Sequence, residues 1–187
     1  MLAGLGVEVK LIKDDTYSFS AGNADPDRLS DKELLRKANM LRGSVLLDGP
    51  MLARFKRAVI PRPGGDKIGR RRMDTHILGF EQLRCKVEYN PVHEHYSLTA
   101  KRLTGADILL DEPSVTATAN LILAAVMAEG ETIIYNAACE SYVQQLCLMR
   151  NKMGAIISGI KSNLLKIGFA EKIRLSNNST CDFCLGC

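Results

Sequence analysis

Three stretches of the chain follow one plan, in which a short helical segment ends at or near a glycine and leads into a strand, a turn and a second strand. They are LAGLGVEVKLIKDDTYSFSA (residues 2–21), FEQLRCKVEYNPVHEHYSLTA (80–100) and LMRNKMGAIISGIKSNLLKI (148–167). Gly6 and Gly154 stand where a helix C-terminus takes a left-handed residue, and VEV, KVEY and AII read as strands. Arg84 holds that position in the middle copy. A left-handed backbone there costs it about 1 kcal/mol relative to glycine.

Between these hairpins a second piece recurs, a helix followed by one strand. GSVLLDGPMLARF with KRAVIP (43–61) matches TATANLILAAVMAEG with ETIIYNA (116–137). Both helices are apolar on most faces, which predicts burial on more than one side. Upstream, Ser30 and Glu33 in SDKELLRKANM form a capping box and predict a helix start at Ser30. The order strand, helix, strand, helix, strand, strand thus recurs every 70 to 80 residues or so, roughly the spacing of stacked supersecondary units. The fold class is α/β or α+β. Residues 1–21 hold only the last part of such a unit, a helix stub and its hairpin.

Composition narrows the class further. A chain of 187 residues suits one ordinary domain, and 46% apolar with 25% charged residues is the balance of a soluble globular protein. No apolar run reaches the ~18 residues needed to cross a bilayer. The N-terminus lacks the charged, apolar and cleavable regions of a signal peptide, so a cytoplasmic location is the expectation, without a membrane partner. The net charge of +4 is mild, and its excess is local. Aromatics amount to only 5% and none interleave with the arginines, which argues against a nucleic-acid partner.

That local excess lies in RPGGDKIGRRRMDTH (62–76). Here Asp66 follows the Gly64-Gly65 hinge, beside Lys67, Arg70, Arg71 and Arg72 and in front of an expected helix start. Such a stretch is either a solvated basic loop or a site where a carboxyl group moves a proton next to bound anions. His76 admits a structural hydrogen bond or a catalytic role. His93-Glu94-His95 reads as a polar turn, because two histidines without a third ligand do not make a metal site. Cys85, Cys139 and Cys147 read as reduced core or surface thiols. The terminal CDFCLGC supplies three cysteines, Cys181, Cys184 and Cys187, without a suitably spaced fourth ligand, and no metal is assigned to it.

Taken together with LRGSVLLDGPMLARF, LLDEPSVTATANLILAAVMAEGETIIYNAACE and MGAIISGIKSNLLKI, the loop resembles the UDP-N-acetylglucosamine 1-carboxyvinyltransferase family of enolpyruvyl transferases. The resemblance runs over residues 1–168, and 169–187 form a divergent cysteine-containing tail. It implies a fold of repeated βαβαββ units truncated at both ends, equivalent to most of the first of two domains. The activity implied is transfer of the enolpyruvyl group of phosphoenolpyruvate to the 3-hydroxyl of UDP-N-acetylglucosamine, the first committed step of peptidoglycan synthesis, without metal or organic cofactor. A chain lacking the second domain is expected to be inactive alone. It would be either a UDP-sugar-binding remnant or half an enzyme that needs a complementary chain, with exposed core surface favouring association.

By the same resemblance, Asp66 is the expected proton donor, in a position where the family usually has cysteine. Arg71 faces the phosphoenolpyruvate and sugar-nucleotide site, and Arg42 assists with the nucleotide. Arg72, Met73, Asp74 and Thr75 fall on the uridine-binding strip with Glu112, Pro113, Ser114 and Val115, and Glu140 lies near the substrate. Helices starting after Asp74 and Thr116 would point free N–H groups at phosphate. Several residues depart from the family pattern: Lys56 replaces a usual glycine, Ala117 a common one, and Glu112 a basic or neutral residue. Asp48 interrupts a normally apolar helix face, where an unpartnered carboxylate costs several kcal/mol or is neutralised.

Overall fold

A computed structural model describes residues 1–61, 73–92 and 94–170. The chain opens with a 3-10 turn, Leu2–Leu5, and an antiparallel hairpin of β1 (Glu8–Lys13) and β2 (Thr16–Ser20). Two 3-10 turns, Pro26–Ser30 and Arg42–Leu47, flank α1 (Lys32–Asn39) and lead to α2 (Asp48–Phe55) and β3 (Arg57–Pro61). Next come α3 (Asp74–Gln82), β4 (Lys86–Asn90) and β5 (His95–Thr99). The last unit is β6 (Asp107–Leu109), α4 (Val115–Ala125), β7 (Thr132–Tyr135), α5 (Ser141–Lys152), β8 (Ile156–Ser158) and β9 (Leu164–Gly168).

The last unit shows the βαβαββ plan in full, with a sheet ordered β6-β7-β9-β8 in which only β6 and β7 are parallel. In the middle unit β3-β5-β4 repeats the arrangement of β7-β9-β8, but no opening strand pairs with β3 among the described residues. A 3-10 turn from Pro26 precedes the unit's helices and packs on β3. Proline there has no N–H to give a ladder, and the Asp25 carboxylate accepts from the Asp27 N–H at 2.9 Å, which closes the turn instead. The expected strand-first order therefore holds for the last unit and fails for the middle one.

The three helix-to-strand turns behave as their sequences predict. Gly6, Arg84 and Gly154 all have positive φ, at 87°, 67° and 100°. The expected capping box is displaced by one residue: Asp31, not Ser30, caps α1, its Oδ1 accepting from the N–H groups of Glu33 and Leu34 at 2.8 and 3.2 Å. The helix expected over 43–55 is split, because its first turn winds as 3-10 and α2 begins only at Asp48.

The core gathers on α4, which packs against α2, α3 and α5 and is buried at seven positions from Ala117 to Ala125. Gly49 allows α2 to approach it so closely that any Cβ there would overlap the Asn120 carbonyl. Leu98 of β5 and Ile167 of β9 turn inward from their sheets, opposite Val87 and Ile157. The matching pair on the first hairpin, Val9 and Phe19, is 40% and 59% exposed, as are its neighbours Leu11 and Tyr17 at 63% and 53%. Asp48, in contrast, is 2% exposed.

Candidate active site

The C-terminal ends of β6 and β7 and the starts of α3, α4 and α5 meet at one end of the fold. The Asn136 amide donates to the Leu110 carbonyl at 3.0 Å, tying the loop after β7 to the loop after β6. The Ala138 N–H donates to the Thr118 hydroxyl at 3.0 Å and brings the segment containing Glu140 to the first turns of α4. From the middle unit, the Thr75 hydroxyl donates to Asp111 Oδ1 at 3.0 Å, which sets the first turn of α3 against the β6 loop.

A buried hub holds α3 against α4. The Asn120 amide nitrogen bonds the Val45 carbonyl at 2.7 Å and His76 Nδ1 at 3.2 Å, while its oxygen accepts from the Gly49 N–H at 3.0 Å. His76 Nδ1 must therefore accept, so the ring proton sits on Nε2, 3.1 Å from the Thr116 hydroxyl. Burial, followed by the neighbouring Arg42 charge, lowers the His76 pKa to about 4. A neutral histidine with both nitrogens engaged matches the structural hydrogen bond, one of the two roles open in the sequence.

Helix termini give this end its chemistry. Neither α3 nor α5 has a side-chain cap, whereas Ser114 caps α4 by accepting from the Ala117 N–H at 3.4 Å. The positive ends of the helix dipoles favour an anion here. Half-buried Arg42, at the start of its 3-10 turn, adds a full positive charge beside His76. Residues 62–72, which follow β3 and precede α3 in the sequence, lie outside the described residues.

Residues 1–177 match the family described as EPSP synthase (3-phosphoshikimate 1-carboxyvinyltransferase). The chain belongs to this enolpyruvyl transferase family. It is 53% identical over 173 residues to UDP-N-acetylglucosamine 1-carboxyvinyltransferase of Bacteroides fragilis, covering 92% of this chain and 40% of that protein. To the protein of the same name from Porphyromonas gingivalis it is 53% identical over 167 residues, covering 89% and 38%. Among solved structures, the enolpyruvyl transferase NikO from Streptomyces tendae superposes with a TM-score of 0.71 at 17% identity, over 90% of this chain and 38% of that one. The enolpyruvyl transferase fold is thus present, and the chain spans about two fifths of the length of the curated relatives it matches.

Of the residues assigned by resemblance, Met73, Asp74 and Thr75 start α3, and Glu112, Pro113, Ser114 and Val115 lead into α4. Arg42 and Glu140 lie at the same end. Asp74, Glu112, Pro113 and Glu140 are exposed, whereas Met73 and Thr75 are buried. Both helices begin earlier than expected, α3 by one residue at Asp74 and α4 by two at Val115. Asp66, Arg71 and Arg72, like His93 and the cysteines of the tail, lie outside the described residues.

Sequence reasoning missed Asn120, Thr118 and Asp111. A lone amide inside the apolar run TATANLILAAVMA was the available signal, since a buried amide needs partners. Among the described residues no group of three histidine, cysteine or acidic side chains is placed to hold a metal, and no helix is long and apolar enough to cross a membrane. Cys139 is exposed, while burial pushes the thiols of Cys85 and Cys147 up to about 12 and about 11, away from thiolate chemistry at neutral pH.

Proposed function

We propose that this end of the fold binds the phosphates of UDP-N-acetylglucosamine and supplies one side of a site for enolpyruvyl transfer from phosphoenolpyruvate, in cytoplasmic peptidoglycan synthesis. The carrying observation is the convergence of the uncapped starts of α3 and α5 with Arg42. The 53% identity to enzymes named for this reaction supports the choice of substrate. Buried Thr75, bonded to Asp111, would meet a ligand through its backbone, and exposed Asp74, Glu112, Pro113 and Glu140 through side chains or main chain.

In the reaction the sugar 3-hydroxyl loses its proton as its oxygen bonds to the substituted carbon of phosphoenolpyruvate, and a proton is added to the methylene carbon. The C–O bond to phosphate then breaks and a proton is lost from that same carbon. Asp66 is assigned the proton delivery and Arg71 and Arg72 the anions, on resemblance alone. Calorimetric titration of UDP-N-acetylglucosamine into the purified chain is expected to show saturable binding, weakened about tenfold to a hundredfold by Arg42→Ala. A folded chain that gives no heat, or equal affinity in the variant, would reject the assignment.

Turnover is assigned to an assembly, with this chain as one part. The support is the first hairpin, which leaves Val9, Leu11, Tyr17 and Phe19 in solvent although the matching faces of the other two hairpins turn to helices. Apolar patches of this kind drive association. Replacing Leu11 and Phe19 together by lysine is expected to convert a self-associating chain into a monodisperse one in light scattering. Identical hydrodynamic size before and after would exclude the hairpin as the contact.

A further inference from the structure

The far end of the middle unit carries cations where its sister unit carries glycine. After α4 the chain turns into β7 through Gly130, φ 93°, and after α2 it turns into β3 through Lys56, φ 59°. Gly154, φ 100°, follows α5, and Arg84, φ 67°, follows α3. Both turns of the middle unit therefore hold a side chain in the left-handed region, where a Cβ is strained, and in both the side chain is a cation. The Lys56 ammonium returns to the Ala53 carbonyl at 2.8 Å, a local cap. Arg84 makes no such return.

Arg84 instead lines a shallow concavity with Lys86, Thr99, Lys101, Arg102 and Thr104. Main-chain bonds fix its shape: the Thr104 N–H donates to the Leu83 carbonyl at 3.2 Å and the Ala100 N–H to the Lys56 carbonyl at 2.8 Å. Lys86 pairs with Glu88 at 2.5 Å and Arg102 with Glu129 at 3.1 Å, all four side chains being largely exposed, so these pairs are weak and exchangeable. Arg84 and Lys101 have no carboxylate within 4.0 Å among the described residues. The negative end of the α3 dipole accounts for one cation, and four cations with two hydroxyls exceed that need. Nine helical residues, roughly 13 Å, separate this concavity from the start of α3.

We propose that the concavity is a second anion site, built for a small, multiply charged oxyanion such as a phosphate ester or diphosphate group. Guanidinium, ammonium and hydroxyl groups lining one open hollow suit that chemistry. The test is inorganic pyrophosphate titrated into the isotope-labelled chain at constant ionic strength, followed by NMR. Amide resonances of Arg84, Thr99, Lys101 and Thr104 are expected to shift saturably. Arg84→Gly relieves the left-handed strain and so keeps the fold; it is expected to raise the Tm of the free chain while weakening pyrophosphate about tenfold at these resonances. Arg42→Ala, at the other end of α3, is expected to leave them unchanged. Shifts confined to the start of α3 and α4, shifts that chloride at matched ionic strength reproduces, or equal affinity in Arg84→Gly would each overturn the proposal.

Discussion

Asp48→Leu is expected to stabilise the chain at neutral pH by about 2–4 kcal/mol. Asp48 opens α2 in the core, is 2% exposed, and its Oδ2 has no hydrogen-bond partner among the described residues. Burial alone raises its pKa well above the ordinary value. Such a group binds its proton more tightly in the folded chain than in the unfolded one. Its contribution to stability is therefore fully present below the unfolded value of about 4 and is lost as pH rises through the folded value. At pH 7 the chain must either hold a proton on Asp48 or bury a bare carboxylate, and leucine removes both costs while filling similar space. Thermal denaturation followed by circular dichroism should show Tm higher by roughly 4–16 °C at pH 7, with a smaller gain near pH 4. An unchanged or lower Tm at pH 7 would mean that Asp48 finds a partner in solution.

Asn120→Leu is expected to destabilise by about 4 kcal/mol, enough to unfold much of a marginally stable chain. The substitution leaves the Gly49 N–H, the Val45 carbonyl and His76 Nδ1 without their buried partner. It also loosens the strut that holds α3 to α4, so UDP-sugar affinity should fall with stability. Asn120→Asp tests the geometry, because a carboxylate can accept from Gly49 but cannot donate to Val45. Denaturation midpoints within 0.5 kcal/mol or so of the parent in both variants would contradict the hub, given typical surface-substitution scatter.

The same hub fixes an acid response whose sign opposes that of Asp48. His76 has its pKa lowered to about 4, so below its ordinary value of 6.5 the unfolded chain takes up a proton that the folded chain refuses. Stability is then lost as pH falls from 6.5 toward 4, by about 3 kcal/mol in all. In the parent chain the Asp48 term offsets part of this. Asp48→Leu should uncover it, and a flat stability profile over that range in the variant would show that His76 titrates as if exposed.

The repeat was legible in the sequence because its signals are local. A left-handed turn, a strand alternation and a hairpin depend on neighbours a few residues apart, so Gly6 and Gly154 announced their turns and even Arg84 betrayed its backbone. The burial of Asp48 followed from its place on an apolar helix. Where two neighbouring residues could serve equally, as Ser30 and Asp31 could as caps, only the observed helix start chose between them. The strand expected before the middle unit's helices gave way to a turn at Pro26, which the period alone did not reveal.

The site was legible only as motifs strung along the chain. Resemblance could attach roles to Arg42, Asp74 or Ser114, but local sequence could not bring them to one end. That placement is made by Asn120 and His76, whose partners lie 40 to 75 residues away and are selected by how closely α2, α3 and α4 pack. Sequence by itself determined the repeating elements and the chemistry of their turns. Tertiary structure decided which helix starts converge, because a buried amide forms its hydrogen bonds with whatever donors and acceptors the packed core presents.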